Sequence, residues 1–184
     1  MTEDAGTVLL VDDEENITTL FAAWLEDTHE VRTANDGAEA LELMDADVDV
    51  VLLDRRMPGA SGDEILEEIR EQGYDARVAM VTAIDPDFDV LEMGFDDYLT
   101  KPVSREDLEA VVETLLRRRQ YDEEVQRYYS LAAKKAALEA AKPASELSNS
   151  EEYESLLQEL DEVESGLSDQ LTADDDFEAA FQNL

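Results

Sequence analysis

Three aspartates stand where apolar runs end. Asp12 and Asp13 follow Thr7-Val-Leu-Leu-Val11, and Asp54 follows Val50-Val-Leu-Leu53. Thr82 closes the run Arg77-Val-Ala-Met-Val-Thr82, and Lys101 lies just past Phe95–Thr100. Carboxylates brought to one point repel each other unless a cation intervenes. Oxygen-only ligands of high negative charge suit Mg²⁺, which usually retains waters. A hydroxyl and an ammonium beside that metal would donate to a bound anion. These residue types therefore support a phosphoryl-like group on a carboxylate, neutralised by Mg²⁺ and Lys101.

Such a site needs elements that bring these run ends together. Short apolar runs alternate with amphipathic segments over residues 7–120. The strands expected are Thr7–Val11, Glu30–Ala34, Val48–Leu53, Arg77–Thr82 and Phe95–Thr100. Val50–Leu53 lacks alternation, as expected of a strand covered on both faces. Between them, Glu15–Glu26 has Ile17, Leu20, Phe21, Trp24 and Leu25 at helical spacing. Helices are also expected over Asp36–Asp45 and Ser61–Glu71, with a short weak one at Asp87–Met93. Ser104, with Asp107 three residues on, caps another. The fold class is α/β: a (βα)5 doubly wound parallel sheet, followed by a small all-α hairpin. Ligands of such sheets sit at the strands' carboxyl ends, where all five residues fall.

Composition removes other chemistries. The 184 residues include 49 acidic and 14 basic side chains, a net charge of −35, with one His and no Cys. Disulfides, thiolate nucleophiles, Fe–S clusters and multi-His centres are excluded. The charge opposes broad attraction to nucleic acid or anionic lipid. No stretch approaches a membrane span, and the acidic N-terminus lacks a signal peptide's pattern. The expectation is a soluble, cytoplasmic protein. Residues 1–120 carry 32 acids and 10 bases, and residues 121–184 carry 17 and 4, so the acidity is spread along the chain. That distribution resembles proteins of salt-accumulating halophiles, where molar salt screens self-repulsion.

Four motifs in order resemble the receiver domain of two-component response regulators. They are Val11-Asp-Asp13, Leu53-Asp-Arg-Arg-Met-Pro-Gly59 with Gly62, Val81-Thr-Ala83, and Gly94-Phe-Asp-Asp-Tyr-Leu-Thr-Lys-Pro102. The resemblance implies that Asp54 accepts a phosphoryl group from a histidine kinase. It implies Asp13 as a direct Mg²⁺ ligand, Asp12 as one acting through water, and Arg56 as donor of a backbone carbonyl. Thr82 matches the switch hydroxyl, Tyr98 the aromatic switch and Lys101 the phosphate-pairing lysine. The Lys101–Pro102 bond is expected to be cis. A phosphatase of the haloacid dehalogenase type would carry a second Asp where Arg56 stands, so the chain is read as no enzyme beyond its own phosphorylation and dephosphorylation. His29 reads as structural, and Asp96-Asp97 as solvated surface. Only 18 residues separate Thr82 from Lys101, which shortens the fourth helix and argues against a standard receiver dimer there.

The division expected is a receiver at 1–119 and a helical output domain at 120–184. No Gly or Pro falls between Ser104 and Pro143, so one long helix is expected to join the two. Pro143–Ser150 reads as a turn, with Ser148 and Glu151 capping a second helix that Gly166 ends. Phe177, Phe181 and Leu184 mark a marginal last turn. Tyr128-Tyr-Ser-Leu131, Lys134-Lys135 and Glu151-Glu-Tyr153 resemble the HalX domain attached to receivers in halophilic archaea. Residues 143–184 hold 13 acids and no Lys or Arg, which argues against direct nucleic-acid binding. The cations from Arg117 to Lys135 would form at most a modest basic stripe. The apolar and aromatic stripe Tyr121, Val125, Tyr128 and Leu131 is either a partner or homodimer surface within 104–141, or is packed against Tyr153, Leu156 and Leu160. The function expected is a phosphorylation-switched regulator acting through its fifth helix and helical domain. The rival is a DNA-binding transcriptional regulator.

Overall fold

The protein is described by a computed structural model covering residues 5–119, 121 and 123–171. Five parallel strands form one sheet in the order β2-β1-β3-β4-β5. They are β1 (Thr7–Val11), β2 (Glu30–Ala34), β3 (Val50–Leu53), β4 (Arg77–Thr82) and β5 (Asp97–Thr100). Helices α1 (Glu15–Leu25) and α4 (Arg105–Arg118) cover one face. Helices α2 (Gly37–Leu43) and α3 (Gly62–Glu71) cover the other. Alternate residues of one strand feed opposite faces: Leu52 packs with Phe21, Leu108 and Leu115, and Leu53 with Ile65 and Leu66. Both faces are therefore apolar, and β3 and β4 are buried throughout. Local chemistry agrees at the helix starts. Ser61 and Glu64 form a reciprocal capping box, and Ser104 caps α4 through the Asp107 N–H.

Several expectations are corrected. The α1 stripe is rotated: Thr18, Phe21, Ala22 and Leu25 are buried, whereas Leu20 is exposed. The weak helix near residue 90 is a 3₁₀ helix, Phe88–Glu92. The single long helix after Ser104 does not exist. Helix α4 ends at Arg118, and a separate α5 spans Glu123–Ala141. The break needs neither Gly nor Pro, because α4 belongs to one sheet face and α5 packs on the other. The reversal is held by Tyr121 N–H to Arg118 O (3.1 Å) and by Gln126 Nε2 to Tyr121 O (2.7 Å). Tyr121 also stacks on Tyr129, with the Arg118 guanidinium 4.4 Å from the Tyr129 ring centroid.

After Pro143 the chain makes a short helix α6 (Ala144–Leu147) and then α7 (Glu151–Leu171). The cap of α7 is Ser150, not Ser148: its hydroxyl accepts from Tyr153 N–H at 3.1 Å. Gly166 does not end this helix. It faces solvent inside α7, while the next residue, Leu167, is buried and carries the apolar stripe onward. A Cβ at Gly166 would meet nothing within 4 Å. Gly166→Ala is therefore expected to stabilise the protein by about 0.5–1 kcal/mol, read as a higher urea midpoint at unchanged m-value. The aromatic segment of residues 172–184 lies outside the described residues.

Asp96 is also corrected. It is buried, not solvated. Its carboxylate takes Arg70 Nη2 at 2.9 Å, Arg77 Nη1 at 3.2 Å and Val78 N–H at 2.8 Å, tying β5 to β4 and α3. His29, by contrast, has a structural place: its Nδ1 accepts from Gly6 N–H at 3.3 Å.

Candidate functional site at the strand carboxyl ends

Strand register brings the sequence-predicted residues together. Asp54 N–H donates to Val11 O at 2.9 Å, Asp12 N–H to Ala34 O at 3.1 Å, and Lys101 N–H to Thr82 O at 2.7 Å. The ladder thus continues one step past the strands and sets the site residues side by side. One oxygen from each of Asp12, Asp13 and Asp54 falls within 4.8 Å of the others. Asp12 and Asp54 are buried and Asp13 is exposed. Three hard oxygen donors this close, two of them out of bulk water, fit a divalent cation of the Mg²⁺ type.

The electrostatics are unequal. Lys101 Nζ lies 2.5 Å from Asp12 and 3.8 Å from Asp54. Burial pushes the Asp54 carboxyl above its ordinary range, opposed by a Thr82 hydrogen bond and the Lys101 charge, and reinforced by Asp12. Burial also works against charge on Lys101, but its bond to Asp12 and the surrounding carboxylates outweigh that and raise its pKa. Thr82 Oγ1 additionally accepts from Ile84 N–H at 3.3 Å. Tyr98 is packed inward and donates its hydroxyl proton to Ile84 O at 2.6 Å. The Arg56 side chain is exposed, as befits a position whose backbone alone was implicated. The Lys101–Pro102 bond is cis.

Gly62 makes this turn possible. Its N–H donates to Arg55 O at 2.9 Å. A Cβ there would sit 2.0 Å from the Asp54 carbonyl oxygen and 2.8 Å from Arg55 Cα.

Sequence reasoning missed Arg55. This buried guanidinium pairs with Asp63 through Nε (2.9 Å) and Nη2 (2.8 Å), and with Asp89 at 2.6 Å. Adjacency to Asp54 was the available signal, but the partners lie 8 and 34 residues away.

The comparisons with known proteins decide the family. A model of the response regulator receiver domain matches residues 8–113, more than half of the chain. The chain belongs to the response regulator receiver family. A HalX domain model matches residues 117–181 of this response regulator. A Haloferax volcanii protein provisionally named a transcriptional regulator is 50% identical over 134 residues, covering 72% of this chain and 23% of its own length. The alkaline phosphatase synthesis transcriptional regulatory protein PhoP of Bacillus subtilis is 41% identical over 116 residues, 60% of this chain and 48% of PhoP. The chain thus spans about a quarter and about half of these two relatives. Among solved structures, the response regulator TrrA of Thermotoga maritima, in complex with Mg²⁺ and BeF, aligns with TM-score 0.53 and 35% identity. That alignment covers 60% of this chain and 98% of TrrA. The receiver fold and the acidic cluster at the strand ends agree with that family.

The helical segment is not a separate body. Leu131, Leu138, Tyr153 and Leu156 of α5 and α7 share the core formed by β4, Val90 and Phe95. Ser130 Oγ donates to Phe95 O at 2.7 Å, and buried Lys134 donates to Leu91 O at 3.2 Å. Lys142 Nζ lies 3.0 Å from Asp87 and 4.8 Å from the Phe88 ring centroid. Intramolecular packing therefore takes half of the stripe once open to a partner: Val125 and Leu131 are buried, Tyr128 is half-buried and Tyr121 remains exposed. The expected basic stripe is likewise engaged. Arg118 faces Tyr129 and Asp97, Arg119 pairs with Asp49, Arg127 with Glu159, and Lys135 with Glu139.

Proposed function

We propose that Asp54 is the phosphoacceptor of a two-component regulator whose output is carried by the helical segment docked on β5 and the 3₁₀ helix. The observation that carries this is the convergence of Asp12, Asp13 and Asp54 beside Lys101 and Thr82. An Asp54 carboxylate oxygen attacks the phosphorus of a histidine kinase's phosphohistidine in line. The O–P bond forms as the N–P bond breaks. Asp12, Asp13, Asp54 and the Arg56 carbonyl would hold a Mg²⁺ ion, which when bound would supply charge neutralisation for the transferring group. Lys101 then turns from Asp12 toward the new phosphoryl oxygens, and the Thr82 hydroxyl donates to one of them. The added charge of about −1.5 to −2 favours these small movements, and Tyr98 follows through Ile84. The chain divides by role at 119/120, works in the cytoplasm, and needs no other catalytic group.

In 2 M KCl with Mg²⁺, acetyl phosphate is expected to add one acid-stable, base-labile phosphoryl group per chain, read by intact-mass spectrometry. No mass increase would remove the phosphoacceptor reading. Light scattering with and without beryllofluoride then separates outputs. A doubled mass supports a homodimer through segments within 104–141, and an unchanged mass favours a partner protein.

The relatives' names favour a second reading, a DNA-binding transcriptional regulator. Against it stand the acidic segment after Pro143 and the internal engagement of the cations on α5. A promoter-fragment gel shift that weakens steeply with added salt would reverse that preference.

A further inference from the structure

Arg55 directly follows Asp54, yet its side chain serves two other elements. Its guanidinium holds Asp63 on α3 through two parallel bonds and reaches Asp89 on the 3₁₀ helix at 2.6 Å. It also lies against the Tyr98 hydroxyl. The 3₁₀ helix is only five residues long, Phe88–Glu92, and such short pieces have little stability of their own. Val90 anchors it in the core, and polar ties to its neighbours fix the rest of its position. From the site side it is held by Arg55 to Asp89. From the helical side it is held by Lys134 to the Leu91 carbonyl, and by Lys142 to Asp87 and the Phe88 ring. The same Lys134 ammonium lies 5.6 Å from the centroid of the Phe95 ring, which in turn packs on Tyr98. The 3₁₀ helix is thus clamped between one cation that moves with the phosphoacceptor turn and two that move with α5.

We propose that Arg55 is a positioning residue that couples the state of Asp54 to the docking of α5 and α7, by way of Asp89 and the 3₁₀ helix. The inference rests on Asp54 being the phosphoacceptor. Movement of the Asp54–Arg55 turn on phosphorylation shifts the guanidinium between its two carboxylates. Weakened hold on Asp89 frees the 3₁₀ helix, and with it the carbonyl and ring that Lys134 and Lys142 grip. Coupling is reciprocal, so loosening the helices changes affinity at the site by the same factor.

The test uses the full chain in molar KCl with Mg²⁺, and reads amide hydrogen exchange of α5 with and without beryllofluoride. Wild type is expected to change exchange in α5 by about fivefold, the lower range of ordinary allosteric coupling. The Asp89 side chain is largely exposed, so Asp89→Asn leaves the fold in place. That variant is expected to bind beryllofluoride with an affinity changed by no more than the same factor of about five, while losing more than half of the α5 response. Asp89→Glu, which restores the charge, recovers it. Arg55→Lys, which keeps charge but not the two-pronged bond to Asp63, serves as the second variant. A full α5 response in both Asp89→Asn and Arg55→Lys overturns the proposal, as does an absent response in wild type that still binds beryllofluoride. Failure of wild type to bind beryllofluoride at all overturns the phosphoacceptor reading, and the coupling falls with it.

Discussion

Asp54→Asn is expected to lose all phosphoryl labelling and to gain stability. The loss follows from chemistry: an amide nitrogen or carbonyl oxygen is a poor nucleophile, and the exposed Asp13 lacks the buried surroundings of Asp54. The gain follows from linkage. Burial raises the Asp54 pKa in the folded protein, so folding favours the protonated form. A raised carboxyl contributes stability below its unfolded pKa and loses it as pH rises through the folded value. At neutral pH the ionised Asp54 therefore opposes folding, more so beside Asp12. Asn keeps the shape without the charge. In metal-free buffer at neutral pH the variant should gain on the order of 1 kcal/mol, or about 2–4 °C in Tm. The gap should close as pH falls into the acid range. It should also narrow when Mg²⁺ is added, because the cation stabilises wild type more than the variant. Labelling that persists in Asp54→Asn would place the acceptor elsewhere.

Gly62→Ala should be the most damaging single-methyl change near the site. The new carbon would sit 2.0 Å from the Asp54 carbonyl oxygen and 2.8 Å from Arg55 Cα, both backbone atoms of the phosphoacceptor turn. A flexible side chain could yield, but here the turn itself must move, against the Gly62 N–H to Arg55 O bond. Overpacking of this kind costs about 1–3 kcal/mol, and the backbone clash puts this position at the upper end. Protein that remains folded should label more slowly by roughly 100-fold, since displacing a reacting group by about 1 Å has that effect. Equilibrium denaturation and initial labelling rates check the two parts separately. Gly166→Ala, where the added carbon meets nothing, is the matched control. A Gly62→Ala protein as stable and as fast as wild type would show that the turn accommodates the methyl.

The site was legible in sequence for a physical reason. A parallel sheet puts every strand's carboxyl end on one edge, so residues just past each apolar run converge whatever the loops do. Asp12, Asp13, Asp54, Thr82 and Lys101 needed only strand ends, and those depend on local apolar runs. The helix caps at Ser61 and Ser104 were legible for the same reason, since their partners are three residues away.

What the sequence could not decide was which charged and apolar groups are buried by distant partners. Asp96 looks like any other surface acid in this acidic chain until Arg70, 26 residues away, and Arg77 close on it. Arg55 looks solvated until Asp63 and Asp89 meet it. Gly166 looks like a helix stop, but Leu167 buried against the rest of the chain keeps α7 going, and that burial outweighs one glycine's backbone entropy. The end of α4 carries no breaking residue. The chain turns there because the apolar stripe of α5 is satisfied only on the opposite sheet face, against Val90 and Phe95. Spacing along a chain specifies which residues share a face. Which face covers which, and which ion pairs form across it, is set by packing the whole molecule at once.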